Sequence, residues 1–130
     1  MARLRDVVFD CRRPAALARF WASALGGYAV APYDEAELRR LRAMGVDDPE
    51  DDPSVLVEPT DGHGLRLFFT LVPEPKVAKN RVHLDIRCAD PDSDAEVERL
   101  VGLGATVLAR PADGHVVLAD PEGNEFCLLR

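Results

Sequence analysis

The feature that most constrains the fold is a pattern that runs through the chain once and then starts again. In residues 4–11, Val7, Phe9 and Cys11 alternate with Asp6, Val8 and Asp10, the period-two signature of a strand. Pro14 then opens a helix at its first position, where the missing N–H costs nothing. Leu17, Phe20, Trp21, Ala24 and Leu25 form its apolar stripe, and Gly26-Gly27 stops it. Strands follow at 28–31, 54–57 and 65–72. In the last of these, Leu65, Leu67, Phe69 and Leu71 share one face, and Arg66, Phe68 and Thr70 the other. An extra helix at 34–44 has capping-box spacing at Asp34 and Glu37 and a thin apolar edge of Leu38, Leu41 and Met44. The prolines of Pro73-Glu74-Pro75-Lys76 force an extended linker. Beyond them the order recurs. A strand at 81–88 sets Val82, Leu84, Ile86 and Cys88 against His83, Asp85 and Arg87. A helix starting at Asp90-Pro91 buries Val97, Leu100 and Val101 and ends at Gly102 and Gly104. Strands at 105–109, 115–119 and 125–129 complete the second half. Cys11-x-x-Pro14 matches Cys88-x-x-Pro91, and Leu25-Gly26 matches Leu103-Gly104. The expectation is an α+β fold: two tandem βαβββ modules, at 1–73 and 80–130, joined by a linker at 73–79 in one domain. Their mixed sheets cup a cavity.

With 130 residues, 47% hydrophobic and 30% charged, the chain has the composition of an ordinary globule that buries a core without staples. No apolar run is long enough to cross a bilayer, and residues 1–10 lack a signal-peptide apolar region. A cytoplasmic location is therefore expected. The three cysteines, Cys11, Cys88 and Cys127, are widely spaced, which argues for free thiols over a disulfide framework. The net charge is −7. Its basic residues are scattered, which speaks against nucleic acid and anionic membrane as partners. The acidic run at 47–52 reads as a solvated loop; it lacks a calcium-loop pattern.

One face of each predicted sheet is apolar enough to receive a helix. The other carries Asp6, Asp10, Arg66, Thr70, His83, Asp85, Arg87, Glu125 and Cys127, with Val8, Phe68 and Leu129 among them. Such a face is too polar for a sealed core. Apolar surface with a few polar groups suits a small-molecule pocket; a solvated sheet face is the other reading.

Four stretches resemble the vicinal oxygen chelate superfamily, the glyoxalase/bleomycin-resistance/dioxygenase group, and its glyoxalase-like branch in particular. They are Val8-Phe9-Asp10-Cys11 with Ala18-Arg19-Phe20-Trp21, then Val72-Pro73-Glu74-Pro75-Lys76, Lys79-Asn80-Arg81-Val82-His83-Leu84-Asp85, and Asp120-Pro121-Glu122-Gly123-Asn124-Glu125-Phe126-Cys127. The resemblance implies paired βαβββ units, a homodimer and a cavity. It also implies a metal held from the first and last strands of each half. Carried over by motif, those positions are Asp6, Phe68, His83 and Cys127. Phe68 has no donor atom, and Cys127 stands where a carboxylate is usual, with Glu125 two residues earlier. No cofactor is therefore expected. If a metal is held, Asp6, His83 and Cys127 are its ligands, a donor set that suits zinc rather than magnesium or manganese.

The candidate catalytic residues are His83 and Glu125. The candidate ligand-binding residues are Asp6, Asp10, Arg66, Phe68, Thr70, Asp85, Arg87 and Cys127. His83 reads equally as a ligand-binding or acid–base histidine and as a side chain satisfied by a neighbouring strand. Cys127 reads as a small lining residue, or as a nucleophile if His83 lowers its pKa. The aspartates and arginines suggest an internally paired polar floor or a site for a ligand carboxylate. The extra helix reads as a lid or as a surface excursion. Two functions from different classes remain open: a binding protein for a small organic molecule without the superfamily's typical metal site, and a zinc-type lyase or isomerase. A structural module is a third.

Overall fold

The computed structural model describes residues 1–89 and 92–130. The chain forms two compact units, Met1–Pro75 and Lys76–Arg130. The first contains β1 (Asp6–Cys11), α1 (Pro14–Ala24), β2 (Tyr28–Val30), α2 (Glu35–Ala43), a 3-10 turn (Pro49–Asp51), β3 (Ser54–Pro59) and β4 (Arg66–Leu71). The second contains β5 (Leu84–Arg87), α3 (Ser93–Leu103), β6 (Thr106–Ala109), β7 (Val116–Ala119) and β8 (Glu125–Leu129). Each unit builds a four-stranded mixed sheet, ordered β1-β4-β3-β2 and β5-β8-β7-β6. In both, the first strand pairs in parallel with the last, and the remaining pairs are antiparallel. This is the tandem βαβββ arrangement expected from the repeat.

In the first unit the helix covers the apolar face with aromatic rings. Pro14 stands at the start of α1, and Leu17, Ala18, Phe20, Trp21 and Ala24 are buried. Phe9 stacks on Phe69 at 5.1 Å and tilts against Trp21 at 5.4 Å; Phe20 meets Trp21 edge-on at 5.4 Å. Each such pair adds about 0.5–1.5 kcal/mol beyond its buried area. Val55, Val57 and Leu67 close the core. The second unit packs smaller side chains: Val97 and Leu100 from α3, with Leu118, Phe126 and Leu128 from the sheet.

Helix ends follow side-chain chemistry. Asp34 accepts a hydrogen bond from the Glu37 N–H at 2.9 Å, while the Glu37 carboxylate receives Arg40 at 2.9 Å. The Asp34 half of the predicted capping box therefore forms. Asp92 caps α3 through the N–H groups of Asp94 and Ala95. The expected start at Asp90-Pro91 lies outside the described residues. Gly104 ends α3 at φ +119, a backbone conformation that any Cβ disfavours. Gly102, expected as a stop, lies inside the helix.

Several expected core positions face outward. Val82 is 78% exposed because β5 begins only at Leu84. That start also leaves His83 just ahead of the strand rather than within it. Leu71, the last residue of β4, and Met44, just past the end of α2, are exposed where their elements stop, and Val101 of α3 is exposed as well. Cys11 is buried, but Cys88 is only partly so. The acidic run is not wholly solvated: Asp52 is 2% exposed. β3 runs two residues further than expected, to Pro59, because β2 pairs with its far end through Tyr28, Ala29 and Val30.

Candidate functional site

The face of the first sheet that α1 leaves open is built by strand alternation. Val55, Val57, Leu67 and Phe69 point to the helix, so Ser54, Leu56, Glu58, Arg66, Phe68 and Thr70 point away. The pairing register sorts these into rows. Val8, Phe68 and Leu56 lie abreast as an apolar row. Asp10, Thr70 and Ser54 form a polar row on one side of it. Asp6 and Arg66 are abreast on the other. The chain after β2 and helix α2 wall this face, leaving a concavity of about 530 Å³ lined by Tyr33, Arg40, Ser54, Leu56, Glu58 and Phe68, among others. Helix α2 is thus one wall of a pocket rather than a plain surface excursion.

A buried carboxylate fixes that wall. Asp52 accepts hydrogen bonds from the Tyr33 hydroxyl at 2.8 Å, Arg40 at 3.3 Å and the Ser54 N–H at 2.9 Å. Its interior charge is therefore both paired and hydrogen-bonded. Burial, then the bond to Asp52, pushes the Tyr33 phenol above its usual value, so it stays protonated as a donor. Arg40 also binds Glu37. The 3-10 turn before Asp52 is clamped to α1 by two hydrogen bonds from Arg19 to Glu50, at 2.6 and 2.9 Å.

Of the expected ligand-binding residues in this unit, Phe68 lines the concavity. Asp6 and Arg66 are joined by two hydrogen bonds, at 2.8 and 3.1 Å, which makes them an internally paired floor. That hydrogen bonding, more than the charge of Arg66 or Arg5, holds the Asp6 carboxyl below its ordinary value against a smaller effect of burial. The Arg66 guanidinium also lies 5.3 Å from the centre of the Phe68 ring. Asp10 is exposed, in register with Thr70. Tyr33, Arg40, Asp52, Leu56 and Glu58 were not anticipated. For Leu56 and Glu58 the signal was present: alternation through β3 marks Ser54, Leu56 and Glu58 as one face. Nothing local places Tyr33 or Asp52.

In the second unit, β5 and β8 pair in parallel with Asp85 opposite Cys127. His83, Asp85 and Cys127 each offer one donor atom, and the three atoms lie within 4.8 Å of one another. The His83 Nδ1 is 3.1 Å from the Asp85 carboxylate. Burial, followed by the charge of Asp85 and a hydrogen bond to it, pushes the Cys127 thiol up. This is the opposite of what a nucleophilic cysteine needs. Glu125 stands outside the cluster. It receives the Lys76 ammonium at 3.2 Å and the Asn80 N–H at 3.1 Å. Burial raises its carboxyl, but these hydrogen bonds outweigh it and hold the group below its ordinary value. Arg87 is exposed and makes no ion pair among the described residues.

The residues of the first unit do not fit the metal that the superfamily resemblance implies. Phe68 offers no donor, and both Asp6 oxygens are taken by Arg66. The nitrogen, oxygen and sulfur donors of His83, Asp85 and Cys127 do form a set that zinc accepts.

The two mixed sheets with one strand order define a tandem βαβββ protein. A family model for the glyoxalase-like domain matches residues 6–129, and the chain belongs to that family, within the vicinal oxygen chelate superfamily. Among solved structures, the fosfomycin resistance protein FosX from Mesorhizobium loti is similar at 14% identity and a TM-score of 0.66, over 98% of this chain and 90% of that one. A glyoxalase/bleomycin resistance protein/dioxygenase family enzyme from Burkholderia phytofirmans has 16% identity and a TM-score of 0.66, over 98% and 97%. A possible glyoxalase from Bacillus cereus has 13% identity and a TM-score of 0.66, over the whole of both chains. At these identities the likeness is one of fold. No curated protein sequence matches the chain. Among the described residues, no helix is long and apolar enough to cross a membrane.

Proposed function

We propose that this glyoxalase-like protein binds a small, partly apolar organic molecule on the open face of its first sheet, without the superfamily's typical metal site. The observation that carries the reading is the walled concavity over Leu56 and Phe68, about 530 Å³ in volume, a size that suits small ligands. The absence of a donor at Phe68 and the engagement of Asp6 by Arg66 support the second half of the reading.

The test is a fluorescence titration of naphthylmethanol, together with elemental analysis of protein purified without added metal. Saturable binding lost in Leu56→Glu, with well under one metal per chain, is the expected result. No binding, or binding indifferent to Leu56→Glu, would sink the reading.

A second reading has its own observation behind it. The His83, Asp85 and Cys127 cluster favours a zinc-dependent lyase or isomerase, in which the metal would polarise a substrate oxygen. Cobalt(II) titration tests it. A thiolate-to-cobalt absorption band that disappears in Cys127→Ser would support this reading, and no band in the unmodified protein would remove it.

A further inference from the structure

The concavity of the first unit has a charge balance that the proposed binding role does not by itself require. Its charged lining comprises Asp34, Glu37, Asp52 and Glu58 against one cation, Arg40. Arg40 is already held by Glu37 and Asp52, so it has little positive field left for an anionic ligand. Asp34 and Asp52 are also engaged, by the N–H of Glu37 and by Tyr33, Arg40 and the Ser54 N–H. Glu58 differs. It sits half-buried on the open face of β3, and its carboxylate makes no hydrogen bond or ion pair among the described residues. The nearby Arg66 feels its charge but is bound to Asp6.

Beside Glu58 lies the apolar row of Leu56 and Phe68. The Phe68 ring already accepts a guanidinium near its π system, and aromatic faces attract cations through their quadrupole. A free carboxylate next to an aromatic and aliphatic floor, in a concavity of net negative charge, matches a ligand with an apolar body and a positively charged head.

We infer that the concavity selects an amine-bearing or quaternary ammonium molecule, with Glu58 as the group that recognises its cation. This rests on the reading that the concavity binds a small molecule. A carboxylate- or phosphate-bearing ligand would meet the same negative lining and be disfavoured by like charge.

Three probes with one aromatic body separate the possibilities: naphthylmethylamine, naphthylmethanol and naphthylacetate. Each is titrated by its fluorescence against the full chain at neutral pH and moderate salt. The amine should bind about tenfold more tightly than the alcohol, the size of a charge-assisted hydrogen bond gained, and the acetate more weakly than either. Glu58→Gln should erase the preference for the amine over the alcohol. Glu58→Lys should reverse it in favour of the acetate. Circular dichroism and the melting temperature establish that both variants fold. Equal binding of amine and alcohol, or a preference for the amine that survives Glu58→Gln, overturns the cation inference while leaving the binding role standing. Failure of all three probes to bind overturns both.

Discussion

The two units share one strand order but solve burial differently. The first covers its sheet with a helix whose Phe20 and Trp21 meet the Phe9–Phe69 stack. The second relies on Val97 and Leu100 of α3, together with Leu118, Phe126 and Leu128 of its sheet. The first also carries an added helix that walls a concavity; the second carries a compact group of donor atoms at the β5–β8 pair. The difference teaches that a repeated backbone plan leaves each copy free to place its chemistry separately. The helix-facing positions are restricted to apolar residues by packing, whereas the opposite face is restricted only by what it meets.

The sharpest way to break this comparison is to remove a central side chain from each core. Trp21→Ala should destabilise the protein by about 3–5 kcal/mol, and Leu100→Ala, which removes fewer buried atoms, by less than that. Denaturant unfolding measures both, and equal losses would contradict the contrast between aromatic and aliphatic packing. Next comes the wall of the concavity. Asp52→Ala strands the Tyr33 hydroxyl, the Ser54 N–H and Arg40, at a cost of about 2 kcal/mol. It should also weaken naphthylmethanol binding, because the wall loses its anchor; stability lost with binding intact would detach the wall from the site.

A smaller effect is expected at the helix that the second unit lacks. Asp34→Ala removes the cap of α2 and should cost about 1 kcal/mol in thermal denaturation. The finest test concerns the paired floor. Arg66 holds the Asp6 carboxyl below its ordinary value. A depressed folded value means that the pair's contribution is present above the unfolded carboxylate value and is lost as pH falls through the lower folded one. Carboxyl resonances followed by NMR should show Asp6 titrating below the ordinary aspartate range, and Arg66→Gln should move it back up. An unmoved Asp6 would mean that some other group sets its charge.

Much of the fold was legible in the sequence because its signals are local. Period-two alternation located β1, β4 and β5, Pro14 and Gly104 marked helix ends, and the restart after the proline linker gave the repeat. The misplacements at Val82 and Leu71 lie ahead of β5 and at the last residue of β4, where alternation runs to or past the end of the strand, and Val101 is a helical position that apolar spacing alone does not bury. Burial depends on a neighbouring element, and a side chain's own strand cannot report it. The candidate site divides in the same way. Phe68 was identified as lining because its face follows from its strand, and His83, Asp85 and Cys127 were all named as site residues. That Asp85 joins His83 and Cys127 in one donor group depends on the β5–β8 register, a long-range pairing.

The sequence alone determined the order of elements, the two-fold repetition and the apolar face of its clearly alternating strands. These follow from side-chain type and spacing, which steric and solvation forces read over a few residues. Only the tertiary structure decided that Asp52 is interior, that Tyr33 and Arg40 meet it from 19 and 12 residues away, and that the Glu58 carboxylate faces a concavity without a hydrogen bond or ion pair among the described residues. Those facts arise from contacts between segments distant in the chain, where the free energy of a charge is set by the groups that folding brings to it.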